Sequence, residues 1–496
     1  MTTFNNIINS VNGVIWSTAL VVIIAAAGII FTIATKGIQF RRFGDMCRLL
    51  TEHHEDENGE SLSAFQSFAT TVGARVGMGN IAGVATAIFF GGPGAVVWMW
   101  ILALLGGATS IVECSLAQAY KTRQNGEFIG GPQYYMERAL HCKPLSVCFA
   151  IGALIGPGLL MPPLQTQSVA KTFEQSFHLN YVACGVVLAI LVGIVICGGV
   201  TRIGRVAELL APVMCVVFLI FGLIVFFMNI TKVPATFALM FKCAFGQESM
   251  YGGIIGSMIS WGVKRGLYSN EAGQGSGAIV AATAECSHPV KQGLVQGLSV
   301  YIDTLVVCSV TALTILLTGM YNVSADGTAA HLIHEGIPGV EYGVLWMQDA
   351  LENQLGTWSG AALSIMIALF VFTSLMGYYY QAESNLRYLT HGNKTATWIF
   401  RGVFVFANIL GVIVNSQVIW SMGDTGAGIM AWFNVIAILL LVAKAATLCR
   451  DYDKQRKAGL DPMFDPAILG IDDEAKVWEK YAKIRREREA KAGAEA

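Results

Sequence analysis

The stretch TTVGARVGMGNIAG, residues 70–83, sets Gly73, Gly77, Gly79 and Gly83, with Arg75 and Asn80, inside an apolar run from about 64 to 91. A second stretch, KRGLYSNEAGQGSGA at 264–278, repeats the pattern with Gly266, Gly273, Gly275 and Gly277 around Asn270 and Glu271. A helix in hydrocarbon must satisfy its own backbone, so glycines clustered with polar side chains are expected there only around a cavity or binding site. Glycines alone would read as close helix contacts. Two clusters with embedded polar residues favour helices that break at membrane depth.

Around these stretches lie roughly eleven apolar runs, at about 14–35, 64–91, 93–120, 145–170, 181–200, 206–229, 252–283, 292–320, 358–386, 397–415 and 426–448. Each is near the ~20 residues that cross ~30 Å of hydrocarbon. The composition agrees: 496 residues, 54% hydrophobic, with only 32 basic and 33 acidic side chains and a mean hydropathy of +0.57. That excludes an ordinary soluble enzyme, and a net charge of -1 leaves no basic footprint for nucleic acid. The first run has no basic flank before it and no A-x-A site after it, so it reads as a span rather than a signal peptide. Eleven cysteines, an odd number without a C-x-x-C pair, fall mostly in apolar runs and argue against a disulfide framework.

The first broken run opens a set of five (spans 2–6) and the second opens another (spans 7–11). An odd number per set forces opposite orientation, and broken helices at matching positions of inverted halves point to a secondary transporter's midplane site. The expected fold is therefore an all-α polytopic membrane protein of about eleven transmembrane helices. Residues 1–62 hold the N-terminal span and a cytoplasmic loop, 63–230 and 231–449 two inverted five-helix repeats, and 450–496 a charged cytoplasmic tail. With the N-terminus outside and the C-terminus in the cytoplasm, 26 lysines and arginines face inward and three outward. Outer connections near 230–251 and 321–357 are expected as short surface helices, the tail as a solvated helix, and EHHEDE at 52–57 as a solvated loop rather than a metal site.

Unwinding exposes backbone groups that carry the chemistry. The N–H groups of Met78 and Gly79, at the positive end of the continuing half-helix, suit a carboxylate. Orphaned carbonyls suit a small cation or an ammonium, so a zwitterionic amino acid satisfies both ends. In ALFVFTSLMGYYY, Thr373 and Ser374 with the Phe370 carbonyl suit an oxygen cage for Na+, or the two hydroxyls bond back to their own helix. Gln165 and Gln167 lie at depth in PGLLMPPLQTQSVAK, reaching either substrate or the broken helices. Among isolated acids, Asp303 is expected to pair with a cation or a base, Glu113 to lie near the cytoplasmic end, and Asp424 to cap the last span. Arg75 is expected to be held by an acid, Asp303 first and Glu113 second.

GGPGAVVWMWILALLG at 91–106 closely resembles the signature of the alanine or glycine:cation symporter family of prokaryotic sodium-coupled carriers. ARVGMGNIAGVA, YSNEAGQGSGA, AECSHPVKQGLVQ and YIDTLVVC are similar to that family's other blocks, over about residues 10–465. The resemblance implies a leucine-transporter-type fold of two inverted five-helix repeats behind one N-terminal helix. It implies Gly73 and Val76 carbonyls as sodium ligands beside Phe370, Thr373 and Ser374. It also implies Met78 and Gly79 at the substrate carboxylate, Gly77 and Asn80 beside them among the substrate-binding residues, Gln165 as the pocket glutamine, and Tyr268, Ser269, Asn270 and Gly273 beside the ammonium and side chain. Tyr378 stands where a tryptophan is common and Gln274 where Leu or Met is common; their side chains are expected to pair across the pocket.

The expected function is Na+-coupled uptake of a small neutral amino acid, alanine and/or glycine, across a prokaryotic inner membrane, with no cofactor beyond the coupling ion. The alternatives are proton coupling or a broader substrate range including serine and glutamine. A membrane-embedded enzyme would need a nucleophile and base or a metal-ligand set, which the histidines, largely in loops, do not assemble. A channel would not need two broken helices in inverted halves.

Overall fold

A computed structural model describes residues 2–52, 62–124, 126–414 and 416–494. Helices occupy each of the apolar runs: α1 (Asn6–Ala34), α2 (Ala64–Arg75, then Gly79–Gly91), α3 (Gly94–Ala119), α4 (Lys143–Phe177), α5 (Tyr181–Ile196), α6 (Gly199–Met228), α7 (Ile255–Asn270, then Ser276–Ala281), α8 (Pro289–Thr318), α9 (Thr357–Leu389), α10 (Lys394–Leu410) and α11 (Ser416–Leu440). Seven are long and apolar enough to cross a bilayer, and α2, bent by 50° at its break, makes an eighth. The protein is a multi-pass membrane protein, with α5, α7 and α10 as its shorter or interrupted helices.

The breaks follow from the residues that carry them. α2 starts on a capping box, Ser63 with Gln66, and its first half ends where Val76 turns extended (φ -76°, ψ 94°). Helix resumes through a π-helical turn at Gly79–Gly83. In α7 the first half ends at Glu271, in the left-handed region at φ +56°, and Gly273 and Gly275 follow at +96° and +83°. Two further π-helical turns, Gly156–Leu160 in α4 and Ile302–Cys308 in α8, place Gln165 and Asp303 beside these breaks.

Two connections depart from expectation. Residues 321–357 carry a helix, Val344–Leu355, but also a hairpin of Asn322–Ser324 with Leu332–Glu335. Its turn is set by Asp326, whose carboxylate accepts the Thr328 N–H at 2.8 Å, and by Gly327 at φ +87°. The tail carries the expected helix with one face solvated, but its other face is docked. After α12 (Val442–Lys457) the chain folds back, α13 (Glu479–Ala494) follows, and Trp478 just before it is 1% exposed. Arg485 grips Asp451 with two bonds of 2.8 and 2.9 Å, and Arg486 grips Asp465 at 2.7 and 2.8 Å. Apart from Glu52, the acidic EHHEDE loop lies outside the described residues.

Candidate substrate and ion site

The break of α2 rests against the middle of α9. Ser374 Oγ lies 3.1 Å from the Gly73 carbonyl oxygen and 3.3 Å from that of Val76, and donates into that pair. Thr373 Oγ1 donates to the Phe370 carbonyl at 2.9 Å. Gly73 is needed for this approach, since a Cβ there would stand 3.1 Å from Thr373 Cβ. Three carbonyls and two hydroxyls thus converge between two helices, all on buried residues. An all-oxygen donor set without a carboxylate fits a small monovalent cation. The hydroxyl hydrogens occupy the carbonyls that such an ion would take, so its binding would have to turn them away.

Beside this cluster, Met78 N–H donates to Gln165 Oε1 at 3.3 Å and Gly77 N–H to Asn80 Oδ1 at 2.9 Å. Gln165 Nε2 donates to the Tyr378 hydroxyl at 3.2 Å. This corrects the expected Tyr378–Gln274 pair. The left-handed turn at Glu271 folds Gln274 back, and its amide donates to the Leu267 carbonyl at 2.7 Å, capping the first half of α7. The two broken helices touch at Gly79, where a Cβ would lie 3.1 Å from Ser269 Cα and 3.2 Å from the Tyr268 ring. The buried Tyr268 hydroxyl has no partner among the described residues.

The acids also depart from expectation. Asp303 accepts from Asn80 Nδ2 at 2.6 Å, Ser269 Oγ at 2.8 Å and Thr304 Oγ1 at 2.8 Å, so neutral donors rather than a base hold it between α2, α7 and α8. Asn270 joins through Thr304 at 3.2 Å. Arg75 pairs with neither Asp303 nor Glu113. Its guanidinium donates to the Gln296 carbonyl at 3.1 Å and to the hydroxyls of Ser299 and Ser110. Glu113 Oε2 accepts the N–H groups of Gly273 and Gly275, at 3.2 and 3.1 Å, and the Asn434 amide at 2.8 Å. It anchors the α7 break rather than merely lying near a helix end. Asp424 does not cap α11. It neutralises Arg265 bidentately at 2.8 and 3.0 Å and Lys264 at 2.8 Å, with the Trp261 and Trp420 rings 5.0 and 4.6 Å from the guanidinium.

The structure therefore gathers Gly73, Val76, Phe370, Thr373 and Ser374 in one cluster, and Gly77, Met78, Asn80, Gln165 and Tyr378 in a second beside it. Gly79, Tyr268 and Ser269 form the contact between the broken helices, while Asn270, Gly273 and Gln274 bond to α8, to Glu113 and Asn434, and to their own helix. Sequence reasoning missed Thr304, Gln381 and Asn434 altogether. Gln381 Nε2 reaches Glu271 Oε2 at 3.4 Å, and Asn434 Nδ2 donates to the Gly273 carbonyl at 2.9 Å. The available signal was that each is a polar side chain in an apolar run, where an unpaired amide is costly.

Comparison with known proteins yields three findings. The profile of the family described as "Sodium:alanine symporter family" matches residues 1–466. A Bacillus subtilis protein assigned as a sodium/proton-dependent alanine carrier is 45% identical, covering 97% of this chain and 98% of its own length; another, assigned as a sodium/glutamine symporter, is 38% identical, covering 95% and 96%. Among solved structures, the Eremococcus coleocola manganese transporter superposes with a TM-score of 0.51 at 12% identity, covering 81% of this chain and 90% of that one. At that identity the likeness speaks for the fold alone.

Proposed function

The chain belongs to the sodium:alanine symporter family, whose members are carriers rather than enzymes, and from that premise we propose that it takes up a small neutral amino acid together with Na+ across a prokaryotic inner membrane. Alanine and glycine are the proposed substrates. The protein crosses the bilayer eleven times, N-terminus outside and C-terminus in the cytoplasm, as α1 followed by inverted repeats over 63–230 and 231–449. The observation that carries the reading is the junction of Ser374 with the Gly73 and Val76 carbonyls, because it ties an oxygen cage to the same unwound turn that offers Met78 N–H. Sodium sits among Gly73, Val76, Phe370, Thr373 and Ser374. The substrate carboxylate takes the N–H groups of Met78 and Gly79, displacing the Gln165 amide oxygen that now holds Met78. Tyr268, Ser269 and Tyr378 bound the space for the side chain.

One charge moving down ~100 mV supplies ~2.3 kcal/mol, and a tenfold Na+ gradient adds ~1.4 kcal/mol. Together they support accumulation of several hundredfold. Uptake of labelled alanine, glycine, serine and glutamine into proteoliposomes, with Na+ and pH gradients imposed one at a time, tests the reading. Saturable uptake that needs the Na+ gradient supports it, and uptake driven equally by a proton gradient alone overturns the choice of ion. Proton participation is the second reading. It is favoured by the relative assigned as sodium/proton-dependent and by buried Asp303, Glu113 and Glu271, none of which is ion-paired among the described residues.

A further inference from the structure

The two broken helices meet a second time, at the end of the molecule where the tail lies. Leu62, just before α2, donates its N–H to the Thr283 carbonyl at 3.3 Å, and Glu285, just after α7, donates to the Leu62 carbonyl at 3.2 Å. The second half of α7 is only six residues long, so its last carbonyls need outside donors. α3 supplies them. Gln118 Nε2 donates to the carbonyls of Ala281 and Ala284, and Lys121 Nζ to that of Ala284 at 2.7 Å.

The tail then covers this junction. Ser287 Oγ donates to the Pro462 carbonyl at 2.8 Å, and Phe464 N–H to the Ser287 carbonyl at 2.9 Å. Lys291 meets Asp461 at 2.7 Å, and the Tyr481 hydroxyl donates to Glu285 at 2.9 Å. Trp478 packs edge-on to Phe464 with ring centres 5.0 Å apart, and the Lys121 ammonium lies 4.9 Å from its ring centre. Gln118, Thr283, Ser287, His288, Lys291 and Gln292 are all buried here. Around the Trp478–Phe464 contact the seam is closed mainly by hydrogen bonds, which exchange their partners for water at little net cost.

We propose that the docked tail, residues 461–481, is a latch on the cytoplasmic side of the carrier, holding the ends of α2 and α7 together and lifting away as they separate. Gln118 and Lys121 are positioning residues that hold the α7 side closed. The inference rests on the carrier reading above, and its test needs neither substrate nor Na+.

Cys286 reports the state of the seam. It is 2% exposed, with its thiol donating to Gln118 Oε1 at 3.4 Å, and burial pushes that thiol up to about 11. Opening the seam therefore raises both access and thiolate fraction. Alkylation of Cys286 by a membrane-impermeant maleimide, read by mass spectrometry of the purified full chain in detergent, is expected to be slow in the native protein. It should quicken tenfold or more in Trp478→Ala and at least severalfold in the milder pair Ser287→Ala with Tyr481→Phe, which removes two hydroxyls from the seam. Unchanged labelling of Cys286 in the milder pair, with the variant monodisperse and native in its melting, overturns the latch. Absence of Na+-driven uptake by the native chain overturns the carrier reading instead, whatever the labelling shows.

Discussion

Ser374 is the residue on which the proposed ion site turns, because its hydroxyl reaches both α2 carbonyls. Ser374→Ala is expected to raise the Na+ concentration for half-maximal uptake tenfold or more, and Thr373→Ala, which loses a contact within its own helix, severalfold. Na+ titrations of initial uptake rates check the order; equal and negligible shifts in both would remove the cage. Tyr378→Phe leaves Gln165 Nε2 without its acceptor, a loss of ~1–3 kcal/mol for a buried donor. Its substrate KM should rise severalfold with little change in selectivity, whereas Tyr378→Ala should admit larger amino acids, read by competition with serine, glutamine and leucine. That Ser374 would face the α2 break was legible from adjacent hydroxyls near a glycine-broken helix, while Thr373 takes the other course the sequence left open and bonds back to its own helix. The partner of Tyr378 was not legible, because a buried hydroxyl calls for a partner without saying which of two glutamines reaches it. Arg75 failed for a similar reason: a buried guanidinium has five donors to place, and Ser299, Ser110 and the Gln296 carbonyl take several without any carboxylate.

At the scale of elements, the break in α7 is held by its neighbours as much as by its glycines. Glu113 of α3 and Asn434 of α11 share Gly273, one taking its N–H and the other its carbonyl. Glu113→Ala should lower the melting temperature by several degrees and weaken substrate binding, since two backbone donors and one amide lose their acceptor. Glu113→Gln, which keeps an acceptor oxygen, should recover most of both in a thermal-shift and uptake comparison. Equal damage from Gln and Ala would mean that the charge, not the acceptor, matters. Both broken helices were readable from glycine clusters. The π-helical turns were not: Ile302–Cys308 looks like an unbroken apolar helix, and only packing shows the extra residue that aims Asp303 at Asn80 and Ser269.

At the scale of the whole molecule, the apolar runs and the two breaks were there to be read, while the docking of the tail was hidden. Its helix carries the alternating charges of a solvated face, and its decisive partners, Asp451, Glu285 and Ser287, lie on other elements. That docking is expected to depend on pH. Burial raises Asp451, but hydrogen bonds from His288 and Arg485 outweigh it and hold the carboxyl at about 2, while burial pushes the His288 ring below its usual value. Both groups bind fewer protons when docked than when free, so docking is strongest above the ordinary histidine pKa of ~6.5. It weakens as pH falls past that value, and further between ~4 and 2 as Asp451 protonates. Limited proteolysis near residues 458–478 across pH 7.5 to 4 should show increasing cleavage toward acid, and cleavage independent of pH would count against these contacts. The central claim is tested most directly by alanine uptake into proteoliposomes under an inward Na+ gradient with the interior negative. Accumulation far above the outside concentration, abolished when Na+ is replaced by choline and reduced in Ser374→Ala, is the predicted result; alanine that merely equilibrates, or accumulates equally without Na+, would contradict it.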